Sequence, residues 1–367
     1  MDADAGMSCY VPWVDLPRAH GHPPATARWR VVPEDFVVEE VLGFAPAGKG
    51  QHVLLEVRKR GANTPWVARE LARLAGVATS AVGYSGLKDR HAVTTQWFSL
   101  DLAGHPEPDW ASLGVEGVEV LAAYRHDRKL RRGAHRANRF RLRLRDLEGD
   151  RVAIESRLAT VRDHGVPDYF GEQRFGRGGA NPERALAMLI GELRVRDRNE
   201  RSLYLSAARS VLFNRVLAAR VAGGIWDRAL AGEVLMLEGR HSWFVADEVT
   251  AELGERVTRG ELHPTGPLWG RGELDSRADG RAAEEAALAG CELWCRGLER
   301  AGLEQDRRAL RVLARDLTWE WLPEGDIVLA FTLVAGAYAT ALLREVGRWD
   351  TGAVLGPLAR AHPFNST

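Results

Sequence analysis

The sequence predicts an α+β protein in which a β-rich unit is interrupted by a helix-rich segment and then resumes. Short β-type runs dominate the chain up to about residue 145. Three long stretches with helical periodicity follow between about residues 154 and 315, and a strand and a helix return near the C-terminus. The length of 367 residues suits two domains, or one large core with an insertion.

The N-terminal part divides into an arm and two strands. Residues 1–25 are rich in Pro, His and Ala, and we expect them to form a loosely held, flexible arm. The runs "FVVEEV" and "HVLLEVRK" then have β-type composition, and the turn-rich "GFAPAGKGQ" separates them. Two strands are therefore expected between Trp29 and Val57.

A helix and a further strand follow. In "NTPWVARELARLAGV", Val67, Leu71 and Leu74 recur on one helical face. Thr64 is placed to cap this helix and Pro65 suits its first turn. After the loop "GLKDR", the run "AVTTQWFSLDL" predicts another strand.

The pattern "RFRLRLR", from Arg139 to Arg145, alternates with a period of two. Phe140, Leu142 and Leu144 share one face of the predicted strand, and the arginines share the other. The strand is therefore expected to have one apolar face and one basic face.

The middle of the chain is helical in pattern, and its end raises the question of a membrane span. Helical periodicity is present in "NPERALAMLIGEL", "YLSAARSVLFNRVLAARVAGG" and "AAEEAALAGCELWCRGLERAG". Ile327 to Leu343 then lacks charged residues, at the short edge of the length needed to cross a bilayer. Because Gly336 interrupts this stretch, we predict a buried strand from Ile327 to Val334 and a helix beginning near Tyr338. We expect a cytoplasmic protein with no membrane partner.

The charge of the protein is balanced overall but concentrated locally. Lys and Arg together number 50, and so do Asp and Glu. Arg125 to Arg145, here called the basic segment, contains ten basic residues and one acid, Asp127. A run of charge is most often a solvated face. This run is almost pure arginine with few acids nearby in sequence, and guanidinium groups match phosphate geometry, so a polyanion-binding surface is the favoured interpretation.

The sequence gives little support for metal or cofactor chemistry. Cys9, Cys291 and Cys295 lack zinc-site spacing, and we expect reduced thiols. "GEQRFGRGGAN" lacks the Lys-Ser/Thr of a P-loop, and "WGRGEL" lacks the strand and third Gly of a dinucleotide-binding loop. No zinc deaminase or zinc protease motif appears. An enzyme that works with side chains alone, with no metal and no cofactor, is the leading hypothesis.

One carboxylate stands among cations in "YSGLKDRHAVTTQW". Asp89 follows Lys88 and precedes Arg90 and His91. A carboxylate next to cations is kept ionised, as a nucleophile or a base must be. Taken alone, an Asp in a surface loop that is neutralised by its neighbours explains this pattern more simply.

Several motifs along the sequence favour a functional role for Asp89 instead. Together they resemble the TruD family of tRNA pseudouridine synthases. The family signature Gly-x-Lys-Asp-x-x-Ala-x-Thr-x-Gln is matched by Gly86, Lys88, Asp89, Ala92, Thr94 and Gln96. Further blocks resemble the family in the same order: "PEDFVVEE", "RKLRRGAHRANRFRLRL", "PDYFGEQRFG", "YLSAARSVLFNRVL", "HPTGPLWG" and "AGAYATALLRE". The resemblance covers nearly the whole chain after the first 25 residues or so.

The resemblance implies that Asp89 is the catalytic nucleophile of an isomerase. It would attack a uridine of tRNA, expected to be uridine 13, so that the glycosidic bond breaks and C5 of the base joins C1′ of the ribose. First attack at C1′ and first attack on the base both stay open. The uridine must leave its stack to reach Asp89, which requires aromatic faces and polar edges in the pocket.

The resemblance also implies the residues that bind the nucleotide. Phe36 and Asn138 match family substrate contacts, and Tyr338 matches an aromatic residue that is often Phe. Tyr keeps the ring and adds a hydroxyl that can form a new hydrogen bond. Phe140 shares a strand face with Asn138 and is expected to stack or pack there, although a core role suits it as well.

Cations complete the expected site. Lys88 and Arg30 are both candidates for the cation that pairs with Asp89, and Lys88 is also grouped with the substrate-binding residues. The residues expected to contact the RNA backbone are Arg128, Lys129, Arg131, Arg132 and Arg136. Arg344 and Glu345 are expected to fix the last helix rather than to take part in chemistry.

By the same resemblance, the catalytic domain has a mixed, mainly antiparallel sheet flanked by helices and is split by a family-specific insertion domain. The expected boundaries are 1–25 for the arm, 26–160 and 313–367 for the catalytic domain, and 161–312 for the insertion. We expect a monomer that binds tRNA, with no obligate protein partner. The alternative is a non-catalytic RNA-binding protein of the same fold, which predicts a degraded signature around Asp89.

Overall fold

A computed structural model describes residues 6–350, apart from the side chain of Arg177. The chain forms two compact units. The first, here called the helix-rich unit, comprises the described residues up to Pro23, then Glu155–Ala314 and Ala337–Val346. The second, here called the sheet unit, comprises Pro24–Ile154, Arg315–Gly336 and the described residues from Gly347 onward.

The described chain contains sixteen strands and nine α-helices, whose bounds are as follows. The strands are β1 (Ala25–Trp29), β2 (Phe36–Leu42), β3 (His52–Arg60), β4 (Val82–Tyr84), β5 (Val93–Asp101), β6 (Val118–His126), β7 (His135–Gly149), β8 (Val166–Pro167), β9 (Glu233–Leu237), β10 (Trp243–Ala246), β11 (Leu262–Leu268), β12 (Asp306–Ala309), β13 (Arg311–Val312), β14 (Arg315–Trp321), β15 (Ile327–Val334) and β16 (Gly347–Asp350). The helices are α1 (Thr64–Ala75), α2 (Arg151–His164), α3 (Glu172–Phe175), α4 (Asn181–Ile190), α5 (Arg198–Ala222), α6 (Ala251–Thr258), α7 (Ala278–Leu288), α8 (Glu292–Arg300) and α9 (Ala339–Val346).

The sheet unit is built on one ten-stranded sheet. Its central path runs in the order β14-β15-β7-β2-β5-β3-β6, with β1 and β16 attached through β7 and with β4 attached to β5. The β2–β5 and β1–β16 pairings are parallel and the others are antiparallel. The sheet is therefore mixed and mainly antiparallel, and the prediction of an α+β fold is confirmed.

α1 supplies the helical layer against one part of this sheet. Val67 and Leu71 on its apolar face are fully buried against β3 and β5. Full burial of an aliphatic side chain contributes about 1.5–3 kcal/mol. The helix ends at Ala75, where Gly76 takes a left-handed φ of 65° that a residue with a Cβ adopts only with strain.

The expectation that Thr64 caps α1 is wrong. Asn63 holds the N-cap position, and Thr64 is the first helical residue. The buried Thr64 hydroxyl donates to Oε1 of Gln96 at 2.8 Å and accepts from the backbone N of Lys88 at 3.1 Å. The side chain therefore fastens the loop before β5 instead of the helix end.

β7 has the alternation that its sequence predicts. Phe140, Leu142 and Leu144 are buried, whereas Arg139 and Arg141 are exposed. β7 lies between β2 and β15, so both of its edges are hydrogen-bonded within the sheet. This strand places Asn138 opposite Glu40 of β2.

The core of the helix-rich unit surrounds α5, whose residues Leu212, Phe213 and Leu217 are fully buried. A four-stranded sheet in the order β10-β9-β11-β12 and the β13–β8 pair accompany the helices. This composition agrees with the helical periodicity of the middle of the sequence.

The N-terminal segment is not the loose arm that its composition suggests. Cys9 and Leu16 are buried, and Nε1 of Trp294 donates to the carbonyl of Gly6 at 2.8 Å. A few apolar side chains of this segment pack into the core of the helix-rich unit, which composition does not reveal. Residues 1–5 lie outside the described residues.

The expectation of three reduced thiols is also corrected. Cys9 and Cys291 form a disulfide across a sequence separation of 282 residues, with a Cα–Cα distance of 5.6 Å. Cys295 is free and buried. Spacing along the sequence cannot show such a pairing, because the two cysteines meet only after the N-terminal segment packs.

The strand and the helix that the sequence predicts from Ile327 onward are confirmed. β15 and α9 correspond to the expected strand and helix, and Gly336 between them has a φ of 91°. Arg344 fixes α9 by donating to the carbonyls of Leu16 and Pro17. Among residues 6–350, the structure has no helix that is both long and apolar enough to cross a bilayer.

Candidate active site

Asp89 lies in the loop between β4 and β5, and its side chain is 40% exposed. Nη2 of Arg30 donates to Oδ2 of Asp89 at 2.6 Å. Such a charge-assisted hydrogen bond fixes the direction of a carboxylate as well as supplying a counter-charge. Of the two cations that the sequence offered for this pairing, the structure therefore selects Arg30.

Two aromatic rings hold the Arg30 guanidinium in place. Its central carbon lies 4.0 Å from the centroid of Phe36 and 4.4 Å from that of Trp29. The two rings meet edge to face at 5.6 Å. Cation–π contact with both rings restricts the guanidinium, so the Asp89 carboxylate has a preorganised partner.

Lys59 supports the same loop from the core. Its side chain is fully buried, and Nζ donates to the carbonyl of Asp89 at 3.1 Å and to that of Ala62 at 2.7 Å. Burial lowers the pKa of the Lys59 ammonium to about 8, and the nearby charge of Asp89 opposes this change. The ammonium thereby ties the backbone of Asp89 to the end of β3.

Lys88, in the same loop, belongs to a second polar cluster. Its ammonium forms an ion pair with Oε1 of Glu40 at 2.7 Å and donates to Oδ1 of Asn138 at 2.9 Å. Oε2 of Glu40 accepts from the backbone N of Trp97 at 2.9 Å. Lys88 therefore holds the side-chain oxygen of Asn138. Its direct contact with a substrate stays a prediction.

Asn138 is oriented from two sides. With Oδ1 held by Lys88, Nδ2 donates to Nε2 of His135 at 3.2 Å. Burial lowers the pKa of His135, which favours the neutral ring that this acceptor role requires. The amide keeps one lone pair and one hydrogen for a further partner, so it can bind a polar base edge.

The predicted aromatic residues of the sheet unit lie close together. The rings of Phe36 and Phe140 are 6.2 Å apart, and Phe140 stacks on Phe331 at 5.3 Å. Phe36 is 4% exposed and Phe140 is 8% exposed. Both rings thus pack in the core, and their contact with a uridine stays a prediction.

Tyr338 lies in the helix-rich unit. Its ring contacts Phe170 at 6.4 Å, and its hydroxyl accepts from Nη2 of Arg174 at 2.8 Å. The hydroxyl that distinguishes Tyr from Phe therefore has a partner in that unit. Its role with the substrate stays a prediction.

Part of the basic segment is neutralised by acids that are distant in sequence. Arg143 pairs with Glu324 and Asp326, and Arg145 pairs with Asp35 at 2.7 Å. The interpretation that the segment lacks structural acids is therefore wrong for these arginines, since strand pairing brings the acids to them.

The remaining arginines of the segment are differently placed. Within residues 6–350, no carboxylate lies within ion-pairing distance of Arg131, Arg132 or Arg136. Arg128 is 75% exposed and approaches only the adjacent Asp127 among the described acids, at 3.6 Å. Nζ of Lys129 donates to the carbonyl of Ser80 at 2.5 Å. Unpaired charge thus lies both in the turn between β6 and β7 and on β7 itself, which contains Arg136.

Sequence reasoning missed Glu40 and Lys59, although a signal was present. Phe36, Val38 and Glu40 alternate on the buried face of β2, and Lys59 continues the buried face of β3 after Val57. A charged residue at an apolar position of a strand must find a partner, because an unpaired buried charge is costly. In both cases that partner belongs to the polar framework around Asp89.

The described residues show what chemistry this arrangement can perform. Among residues 6–350, no group of three or more His, Cys, Asp or Glu residues is placed to hold a metal ion. A partly exposed carboxylate held by a guanidinium, beside an oriented amide, can act as a nucleophile or can stabilise a developing positive charge.

A solved structure shares the fold. A protein from Methanosarcina mazei, provisionally identified as tRNA pseudouridine synthase D (TruD), has a TM-score of 0.68, with 94% of this chain and 97% of that chain covered. The sequences are 20% identical, so this likeness shows the fold alone. The chain therefore has the fold of that protein.

Sequence comparison gives the family. The model of tRNA pseudouridine synthase D (TruD) matches residues 18–200 and 182–346. A protein of Methylococcus capsulatus with that name is 52% identical over 336 residues, which cover 92% of this chain and 95% of the relative. Another from Aeromonas hydrophila is 48% identical over 328 residues, which cover 89% and 92%. The chain belongs to the tRNA pseudouridine synthase D family.

Proposed function

We propose that this protein isomerises a uridine of tRNA to pseudouridine, with Asp89 as the nucleophile. The observation that carries the proposal is the 2.6 Å hydrogen bond from Arg30 to a carboxylate that is still 40% exposed. The carboxylate is thus oriented yet reachable. Membership of the TruD family and the complete signature around Asp89 support the same reaction.

The reaction needs no external reactant. The bond between N1 and C1′ breaks, the base turns, and C5 forms a new bond to C1′. The proton that leaves C5 is balanced by the proton that N1 gains, so atoms and electrons are conserved. Asp89 serves either as the group that captures C1′ or as the group that adds to the base, and both routes release the carboxylate at the end.

The other residues of the site have distinct proposed roles. Arg30 orients Asp89, and the amide of Asn138 binds the polar edge of the flipped uracil. Phe36, Phe140 and Tyr338 are each proposed to contact the substrate, and Lys88 is proposed to hold Asn138 in place. The cations of the β6–β7 turn are proposed to bind the phosphate backbone of tRNA.

The insertion domain at 161–312 and the target uridine 13 also belong to this proposal. The helix-rich unit covers all of that range, which supports a separate domain there. We propose uridine 13 because the family resemblance implies it, and we propose that the enzyme acts in the cytoplasm as a monomer.

Incubation with unmodified tRNA transcripts tests the function and the position together. Pseudouridine is mapped by the reverse-transcription stop that remains after carbodiimide treatment. We expect a stop one nucleotide from uridine 13 with the wild-type protein and no stop with Asp89→Asn. A stop at another uridine would overturn only the position, a stop with both proteins would remove Asp89 from its role, and tRNA binding without any product would favour the non-catalytic alternative.

A further inference from the structure

A pocket lies in the sheet unit at the turn between β6 and β7. Its volume is about 370 Å³, within the range of sites that hold small ligands. The residues that line it are Phe44, His126, Arg128, Lys129, Leu130, Arg131 and Ala134. The pocket thus combines an aromatic wall with several cations.

The aromatic wall is fixed from behind. The half-buried ring of Phe44 stacks on the buried His126 ring, with centroids 5.3 Å apart and planes at 21°. Nδ1 of His126 accepts from the backbone N of Ala47 at 3.1 Å, and burial lowers the pKa of His126. The neutral, immobilised imidazole supports Phe44 as a flat surface on which a base can stack.

The cations of the pocket differ in availability. Lys129 is engaged with a backbone carbonyl, as described above. Arg128 is highly exposed, and Arg131 has no carboxylate within ion-pairing distance among the described residues. Exposed guanidinium groups next to an aromatic surface suit one nucleotide, whose base stacks while its phosphate accepts hydrogen bonds.

The turn that forms the pocket is joined to the loop that carries Asp89. The backbone N of Gly133 donates to the carbonyl of Ser85 at 2.7 Å, four residues before Asp89. A Cβ on Gly83 would lie 2.5 Å from the carbonyl of Leu130, so β4, which leads into the Asp89 loop, touches the turn closely enough to require glycine there. RNA held in the pocket is therefore held beside the Asp89 loop.

We propose that this pocket binds one unstacked nucleotide of the RNA substrate in addition to the target uridine, with its base on Phe44 and its phosphate on Arg128 and Arg131. This inference rests on the proposed function, which supplies RNA as the ligand. The pocket then makes two kinds of contact with the nucleotide. Stacking of the base is insensitive to salt, and the phosphate contacts are sensitive to salt.

Binding of a fluorescently labelled, unmodified tRNA transcript over a series of salt concentrations tests the inference. Phe44→Leu is expected to weaken binding about tenfold without changing the salt slope, since the base loses the aromatic ring on which it stacks. Phe44→Trp keeps an aromatic face and should retain the affinity. Arg131→Gln should weaken binding and reduce the salt slope by about 0.7–0.9.

Matched controls lie elsewhere in the sheet unit. Tyr124→Leu removes an exposed ring and Arg69→Gln removes an exposed cation, and neither is expected to change affinity.

Wild-type affinity in Phe44→Leu would overturn the inference, and so would equal losses in Phe44→Leu and Phe44→Trp, which would indicate lost packing. If the wild-type protein forms pseudouridine while Phe44→Leu binds normally, only the pocket inference fails. If the wild-type protein forms none, the proposed function itself fails.

Discussion

At the scale of single residues, Asp89 is held by two cations that act on different parts of it. Arg30 binds the carboxylate, and the buried Lys59 binds the backbone carbonyl. The first contact sets the direction of the reacting group, and the second sets the position of the loop. Loss of either contact is expected to displace the carboxylate. The Arg30 contact is tested by the reaction rate, and the Lys59 contact is tested by the pH dependence of stability.

Arg30→Gln removes the charged partner of Asp89. We expect the single-turnover rate of pseudouridine formation to fall about 100-fold, because misplacement of a reacting group by about 1 Å can cost that much. Arg30→Lys, which retains a cation, should recover part of the rate. Arg28→Gln is the matched control, since Arg28 forms an exposed ion pair with Asp146 in the same unit. A rate near that of the wild type in Arg30→Gln would contradict the orienting role.

The lowered pKa of Lys59 predicts that the free energy of unfolding changes with pH. Because burial lowers its pKa from 10.5 to about 8, the folded protein binds fewer protons than the unfolded chain between these values. The cost of burying the ammonium is therefore fully present below pH 8 and is relieved as the pH rises towards 10.5. Relative to Lys59→Met, the free energy of unfolding of the wild type should rise by up to ~3 kcal/mol across this range. Denaturant unfolding at pH 7 and at pH 10 measures the difference, and a constant difference would contradict the prediction.

At the scale of secondary-structure elements, the turn between β6 and β7 and the start of β7 carry charge that strand pairing leaves unneutralised. Arg143 and Arg145 on β7 are paired with acids, whereas Arg131, Arg132 and Arg136 have no such partner among residues 6–350. Local charge counting treats all of these arginines alike. The structure divides them into a structural group and a group available to phosphate.

Reversal of Arg131, Arg132 and Arg136 to Glu should weaken tRNA binding and flatten its dependence on salt. Each phosphate contact that is lost should reduce the slope of log K against log salt concentration by about 0.7–0.9. The matched control reverses Arg69, an exposed cation on α1. Unchanged affinity and slope in the triple variant would contradict an RNA-binding role for the turn.

The elements themselves are largely predictable from the sequence, because local alternation and periodicity determine them. β7, β15 and α1 have the faces that their apolar residues predict. The contacts that build the site are not predictable in this way. Arg30 and Asp89 are 59 residues apart, and Arg145 and Asp35 are 110 residues apart. Such pairs depend on strand order and register, which the local patterns of a single sequence do not reveal.

At the scale of the whole molecule, the proposed site residues are distributed over two compact units. Asp89, Phe36 and Asn138 belong to the sheet unit, whereas Tyr338 belongs to the helix-rich unit. The family resemblance groups these residues from the sequence alone, because its motifs follow one another along nearly the whole chain. The polar framework around Asp89, formed by Arg30, Lys59 and Glu40, depends instead on the fold.

The most direct test of the central claim is the single-turnover rate of pseudouridine formation by Asp89→Asn with saturating enzyme and tRNA. Asp146→Asn is the matched control, since Asp146 is also a carboxylate paired with an arginine but is an exposed one, and Asn tolerates its positive φ of 50°. We predict no detectable product from Asp89→Asn, with tRNA affinity retained, and a wild-type rate from Asp146→Asn. Product formation by Asp89→Asn at a rate comparable to the wild type would contradict the assignment of Asp89 as the nucleophile.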